Sequence, residues 1–202
     1  MSIRAIIWDM EGVILLNSQG SVPVSIAKRL DIPVERLFTA FDEAFMNRVD
    51  RGEFTQEDAW DRMLDKLGLP RSNKTELEKF FWEDFYIDLE MVADIHAYHA
   101  RFKTALLSNY SNALRPMLSG PWRMDGAFDK IIISCEVHMV KPEPGIYQHA
   151  LGKLGTAPQE TIFIDDREVN VIGAQTLGMH AFQYTGKADM NRRIQEIVAQ
   201  EK

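Results

Sequence analysis

The chain has 202 residues, 46% of them hydrophobic and 26% charged, and a formal net charge of -7. That length and balance fit a soluble globular protein, either one large domain or a core with a modest insertion, able to bury a sizeable core. The acidic surplus argues against nucleic-acid and anionic-membrane partners, yet it admits a small phosphorylated ligand, because one divalent cation inverts the local sign. A single cysteine, Cys135, excludes an intrachain disulfide framework, and its place after the apolar KIIIS reads as packing, not reactivity. No apolar run reaches membrane-spanning length, and the opening residues carry neither a basic region nor a small-residue cleavage site, so a cytoplasmic location is expected.

The first predicted element is AIIW, residues 5–8, too short for a helix and not alternating, as expected of a strand covered on both faces. It ends abruptly in Asp9, Met10, Glu11 and Gly12, two carboxylates two positions apart and then a residue that lets the backbone turn tightly. From residue 15 to residue 90 the pattern is helical and amphipathic. VPVSIAKRL, VERLFTAFDEAFMNRV, TQEDAWDRMLDKL and TELEKFFWEDFY succeed one another with no evident strand among them. Gly68 reads as a left-handed helix stop, and Thr75 with Glu78 as a capping box opening the last segment. Phe80, Phe81, Trp82, Phe85 and Tyr86 read as the core of this insertion; Phe41, Phe45, Trp60 and Met63 read as the same core or as part of a pocket wall. Arg48 and Arg51 default to the solvated surface.

A helix over LEMVADIHAYHARF then returns the chain to the sheet. Its His96 and His99 have helical spacing but no further ligands nearby, and read as a solvated face. Beyond Lys103, TALL before Ser108, KIII before Ser134, TIFI before Asp165 and a weaker HAFQY over 180–184 alternate with helices, two of which stop at Gly155 and Gly178. Such alternation calls for an α/β fold, a Rossmann-like parallel sheet with covering helices. Residues 1–14 and 91–202 are assigned to this core and 15–90 to a helical domain.

Parallel sheets present ligand sites at the carboxyl ends of their strands, where strand order reverses. Asp9 and Glu11, Ser108 and Asn109, and Asp165 and Asp166 all fall at such ends, and Lys141 stands in HMVKPEPGIY before a helix start. Carboxylates gathered this closely repel one another unless a cation neutralises them, and Lys141 alone is too few. Mg²⁺ is the simplest resident, since it takes oxygen ligands and commonly bridges one or two carboxylates to a substrate phosphate. Asp9 would then be placed to attack phosphorus, with Lys141 and Ser108 holding the phosphoryl oxygens. Taken singly, each motif reads equally well as a turn, a cap or a loop. Their order along the chain is what carries weight.

That order, IIWDMEGVI, ALLSNYS, VKPEPGIYQHAL and IFIDDREVNVIGAQTLGM, resembles the haloacid dehalogenase-like hydrolases nearly end to end. The resemblance implies an α/β core plus a small α-helical cap inserted after the first strand, with RGEFTQEDAW, residues 51–60, similar to the cap turn. It implies a Mg²⁺-dependent phosphatase acting on a small phosphorylated metabolite, a sugar phosphate or similar; the sequence leaves monomer or homodimer open. Asp9 would be the nucleophile and a metal ligand, joined on the metal by the backbone carbonyl of Glu11 and by the side chain of Asp166. Ser108, Asn109 and Lys141 would bind the phosphate, with Asp165 and Asn170 in support.

Where the family's phosphatases usually carry Asp as acid and base, this chain has Glu11. Its intrinsic acidity is similar, but its extra methylene moves the carboxyl by roughly an ångström, an error that can cost about a hundredfold. A metal- and phosphate-binding protein with attenuated turnover is therefore an alternative. A 2-haloacid dehalogenase is a further one, compatible with Ser108–Asn109 and with Arg48 or Arg51. It is disfavoured because that enzyme class resembles this chain neither in the acidic residue at position 11 nor in the pair Asp165–Asp166.

Overall fold

The computed structural model of the protein describes residues 2–18 and 22–200. In chain order its elements are β1 (Ala5–Trp8), β2 (Leu15–Asn17), α1 (Val22–Leu30), α2 (Val34–Ala40), α3 (Glu43–Asp50), α4 (Gln56–Leu67), α5 (Lys74–Glu83) and β3 (Phe85–Ile87). There follow α6 (Leu89–His99), β4 (Lys103–Ser108), α7 (Leu114–Ser119), β5 (Lys130–Ile133), α8 (Ser134–Val137), α9 (Pro144–Leu154), β6 (Thr161–Asp165), α10 (Glu168–Thr176), β7 (His180–Gln183) and α11 (Lys187–Gln200). Five of the strands form one parallel sheet in the order β5-β4-β1-β6-β7. The chain starts at the centre, builds to one side, then returns to build the other. The strand order therefore reverses at β1, and the crevice beyond its carboxyl end is flanked by β4 and β6.

The lack of alternation in β1 has a simple cause. Ile6 and Trp8 enter a core with Leu106, Ile162 and Ile164, while Ala5 and Ile7 enter a second core on the opposite face with Leu107, Phe163 and Tyr147. Both faces are dry, so every position is apolar. Register places Trp8 beside Leu106 on one neighbour and Ile164 on the other, so Asp9 emerges level with Leu107 and Asp165. Gly68 and Gly155 end their helices in the left-handed conformation, as expected.

The helical insertion departs from expectation in three places. Segment 34–49 is two helices, because Asp42 breaks it and caps α3 by accepting the backbone N–H groups of Ala44 and Phe45. The capping box at Thr75 does not form: a 3-10 turn over Arg71–Asn73 runs straight into α5, which starts at Lys74. The box is found at Thr55 and Asp58 instead, opening α4. Finally, two short strands were not evident in the sequence pattern. β2 and β3 pair antiparallel, Leu16 against Tyr86, and form a two-stranded base through which the chain leaves and re-enters the sheet region. Three residues per strand are too few to show a period.

The insertion has its own apolar cluster, in which Ile26, Leu37, Trp60, Met63, Leu64 and Leu77 are buried. The aromatic group divides. Phe81 packs on Trp60 of the insertion's cluster, Phe85 is buried in the main core, and Trp82 packs both on Phe81 and on Tyr110 and Trp122 of the sheet region. Phe80 lies under Arg29, and Tyr86 is exposed. No described helix is long and apolar enough to cross a membrane.

Candidate active site

Lys141 is the centre of the crevice. Its ammonium donates to Asp9 Oδ1 at 2.6 Å, to Asp165 Oδ2 at 2.7 Å and to the Leu107 carbonyl at 2.9 Å. All three of its N–H donors are thus engaged within the protein. It orients Asp9 and presents a fixed charge to the crevice. Burial opposes that charge, but Asp9 and Asp165 outweigh it and hold the Lys141 pKa above its ordinary value. Its backbone is also clasped: Asn109 Nδ2 donates to the Lys141 carbonyl at 2.9 Å, and Asn109 Oδ1 accepts the Lys141 N–H at 2.8 Å. Asn109 therefore acts as a strut for Lys141, and its second amide N–H remains on the cavity wall.

Asp9 is buried. Its Oδ1 accepts from Lys141 and from the Met10 N–H at 2.7 Å, while the described residues give Oδ2 no hydrogen-bond partner. Burial drives its pKa up, Lys141 pulls it down, and the Asp165 charge pushes it up again, with a net rise. Asp165 is fully satisfied, because Asn170 Nδ2 and the Arg167 N–H add to Lys141. Asp166, half-buried beside them, is raised by burial and then by Asp165. One ammonium serves three carboxylates, so the site is short of positive charge.

A divalent cation fits this arrangement. Carboxylate oxygens of Asp9, Asp165 and Asp166 lie within 4.8 Å of one another. Asn170 Oδ1, a buried acceptor on the same wall, has no partner. Gly12, at φ +81°, brings the backbone after Glu11 against Asp166: a Cβ there would stand 2.4 Å from Asp166 Oδ2. Oxygens, an unmatched negative charge and an open approach at Gly12 are what Mg²⁺ takes.

Ser108, buried at the end of β4, lines the crevice beside Asp9. Glu11 opens onto the same cavity. It is exposed on the cavity wall, and desolvation by the protein around it, followed by the Asp166 charge, raises its pKa. The cavity holds about 390 Å³. All eight residues singled out in the sequence line it or bond directly to its lining. Arg48 and Arg51 do not: Arg48 pairs with Glu53, and Arg51 with Glu143.

Several lining residues were missed. Tyr110 and Arg167 stand inside the motifs ALLSNYS and IFIDDREVN, next to residues already singled out, so adjacency is the signal that points to them. Asp50, at the end of α3, and Gln56, at the start of α4, reach the cavity only through the docking of the insertion. Ser111 Oγ donates to Gln56 Oε1 at 2.6 Å across that seam. Burial and the Glu11 charge push Asp50 up to about 7. The Tyr110 phenol is raised by burial, then by Glu11 and Asp50, and its oxygen has no partner.

Among curated proteins the chain is 25% identical to the sesquiterpene phosphatase of Aspergillus oryzae over 98% of this chain and 97% of that one. It is 25% identical to the D-ribitol-5-phosphate phosphatase of Bacteroides thetaiotaomicron, over 97% and 98%. It spans only 39% of the length of the rat bifunctional epoxide hydrolase 2, to which it is also 25% identical over 98% of its own length. Among solved structures, a HAD family enzyme of Bacteroides thetaiotaomicron in complex with magnesium and inorganic phosphate has the same fold. Its TM-score is 0.77 at 22% identity, covering 92% of this chain and 96% of that one. The model of the haloacid dehalogenase-like hydrolases matches residues 3–178, and the chain belongs to that family of hydrolases.

Proposed function

We propose that this hydrolase is a Mg²⁺-dependent phosphatase that cleaves a small phosphomonoester, the class to which sugar phosphates belong, through an aspartyl-phosphate on Asp9. The observation that carries the reading is the cluster of Asp9, Asp165 and Asp166 around a single ammonium, with Ser108 alongside. Similarity to two phosphatases along nearly the whole chain supports it. The sheet region forms the catalytic core and residues 15–90 the cap over it.

In this reading one oxygen of Asp9 attacks phosphorus, and the departing alkoxide takes its proton from Glu11, whose raised pKa suits a donor. Glu11 then removes a proton from the water that cleaves the aspartyl-phosphate. Ser108 donates to a phosphoryl oxygen, while Lys141 holds Asp9 in line and offsets its charge. Asn109 keeps Lys141 in place, and Asn170 does the same for Asp165. Bound Mg²⁺, held by Asp9, the Glu11 carbonyl and Asp166, would neutralise the phosphoryl oxygens against these carboxylates.

The test is an assay of wild type, Asp9→Asn and Glu11→Asp against a panel of phosphate esters, with Mg²⁺ and with a chelator. Mg²⁺-dependent turnover by wild type that Asp9→Asn abolishes is the expected result. An active Asp9→Asn variant would remove the nucleophile. A silent wild type awakened by Glu11→Asp would mean that the site binds metal and phosphate but has given up efficient hydrolysis.

A further inference from the structure

The cavity has two unlike ends. The sheet region contributes its polar end, where Asp9, Ser108, Lys141 and Asp166 gather. The insertion faces them with Val22, Pro23, Phe41, Met46 and Phe81, all partly exposed to the cavity, and, among the described residues, with two polar side chains, Asp50 and Gln56. The Gln56 carbonyl oxygen is already taken by Ser111. A phosphate placed against Asp9 directs the alcohol of its ester toward this second wall.

We infer that the preferred substrate is the phosphate monoester of a compact apolar alcohol, aliphatic or aromatic, and not of a sugar or polyol. The inference rests on the phosphatase reading above and narrows it. A polyol brings several hydroxyls, each of which gives up water on entering and needs a partner inside. On the insertion's wall, Asp50 and the amide nitrogen of Gln56 can meet few of them. Methylene or ring carbons need no partner and gain by covering Phe41, Met46 and Phe81.

The experiment compares kcat/KM of the Mg²⁺-loaded wild type for hexyl phosphate and benzyl phosphate with that for ribitol 5-phosphate and glucose 6-phosphate. Methyl phosphate, whose alcohol is a single carbon, is the reference. The apolar esters should exceed the polyol esters by at least about tenfold, the scale of pocket discrimination by a methylene or two. Phe41→Ser and, independently, Met46→Ser should shrink that ratio severalfold. Equal or better turnover of the polyol esters would overturn the inference and leave the phosphatase reading standing. Absence of Mg²⁺-dependent hydrolysis of every ester, methyl phosphate included, by wild type and by Glu11→Asp, would overturn both.

Discussion

Gly12 and Asp166 are in such close register that a methyl group on the Gly12 α-carbon would stand 2.4 Å from the carboxylate oxygen of Asp166. The two residues lie on different strand ends, β1 and β6, and are brought together only because those strands are neighbours. Gly12→Ala should therefore act twice. It strains a backbone at φ +81°, costing on the order of 1–2 kcal/mol, and it drives Asp166 out of the acidic cluster. Calorimetric titration with Mg²⁺ should show at least about tenfold weaker binding. Unchanged affinity would mean that Asp166 does not hold the ion.

Lys141 separates Asp9 and Asp165, both dry, at 2.6 and 2.7 Å. Lys141→Met leaves two buried carboxylates facing one another. Loss of one partner from a buried pair typically costs about 3–5 kcal/mol, and a loss of that size is expected in urea unfolding without Mg²⁺. Added Mg²⁺ should return part of it. A loss below about 1 kcal/mol, the scale of a surface pair, would contradict the role assigned to Lys141.

Asp50 gives the protein a pH dependence of definite sign. Its pKa is raised in the fold to about 7 from an ordinary value of 3.8. Between those values the native state holds a proton that the unfolded chain has released, so the contribution is full below about pH 4 and declines as pH rises toward 7. Asp50→Asn should flatten this part of the stability curve in Mg²⁺-free buffer. Above neutral pH the variant should be more stable than wild type by about 2–4 kcal/mol. Parallel curves for the two proteins would show that Asp50 is not desolvated.

The Tyr110 phenol oxygen is buried without a partner. A buried hydroxyl without a hydrogen bond is a cost to the fold, so Tyr110→Phe should be neutral or stabilising by up to about 1 kcal/mol in thermal unfolding. Destabilisation of about 2 kcal/mol would reveal a hydrogen bond that the fold makes in solution.

Glu11 is assigned proton transfer through its side chain and metal binding through its carbonyl. Glu11→Gln separates the two: kcat should fall by about 100-fold or more, while the Mg²⁺ affinity changes little. A parallel loss of both would mean that the side chain itself binds the ion.

Local chemistry wrote the sheet strands and the motifs at their ends plainly. Apolar runs bounded by Asp9, Ser108 and Asp165 signal strands dry on both faces, because a buried backbone tolerates little else. Asp9, Glu11, Ser108, Lys141 and Asp166 could be listed before any geometry was known. Their mutual arrangement could not: that all three donors of Lys141 are occupied, or that Asn109 is a strut for it, depends on strand neighbours far apart in sequence. The insertion was least legible. β2 and β3 are too short to leave a period, and the start of α5 followed a 3-10 turn in preference to the available cap at Thr75. Asp50, Gln56 and Phe81 looked like ordinary helix residues, and only docking made them cavity wall. A strand's burial and a loop's turn are decided within a few residues, whereas the face a helix presents to a distant crevice is decided by packing across the whole chain.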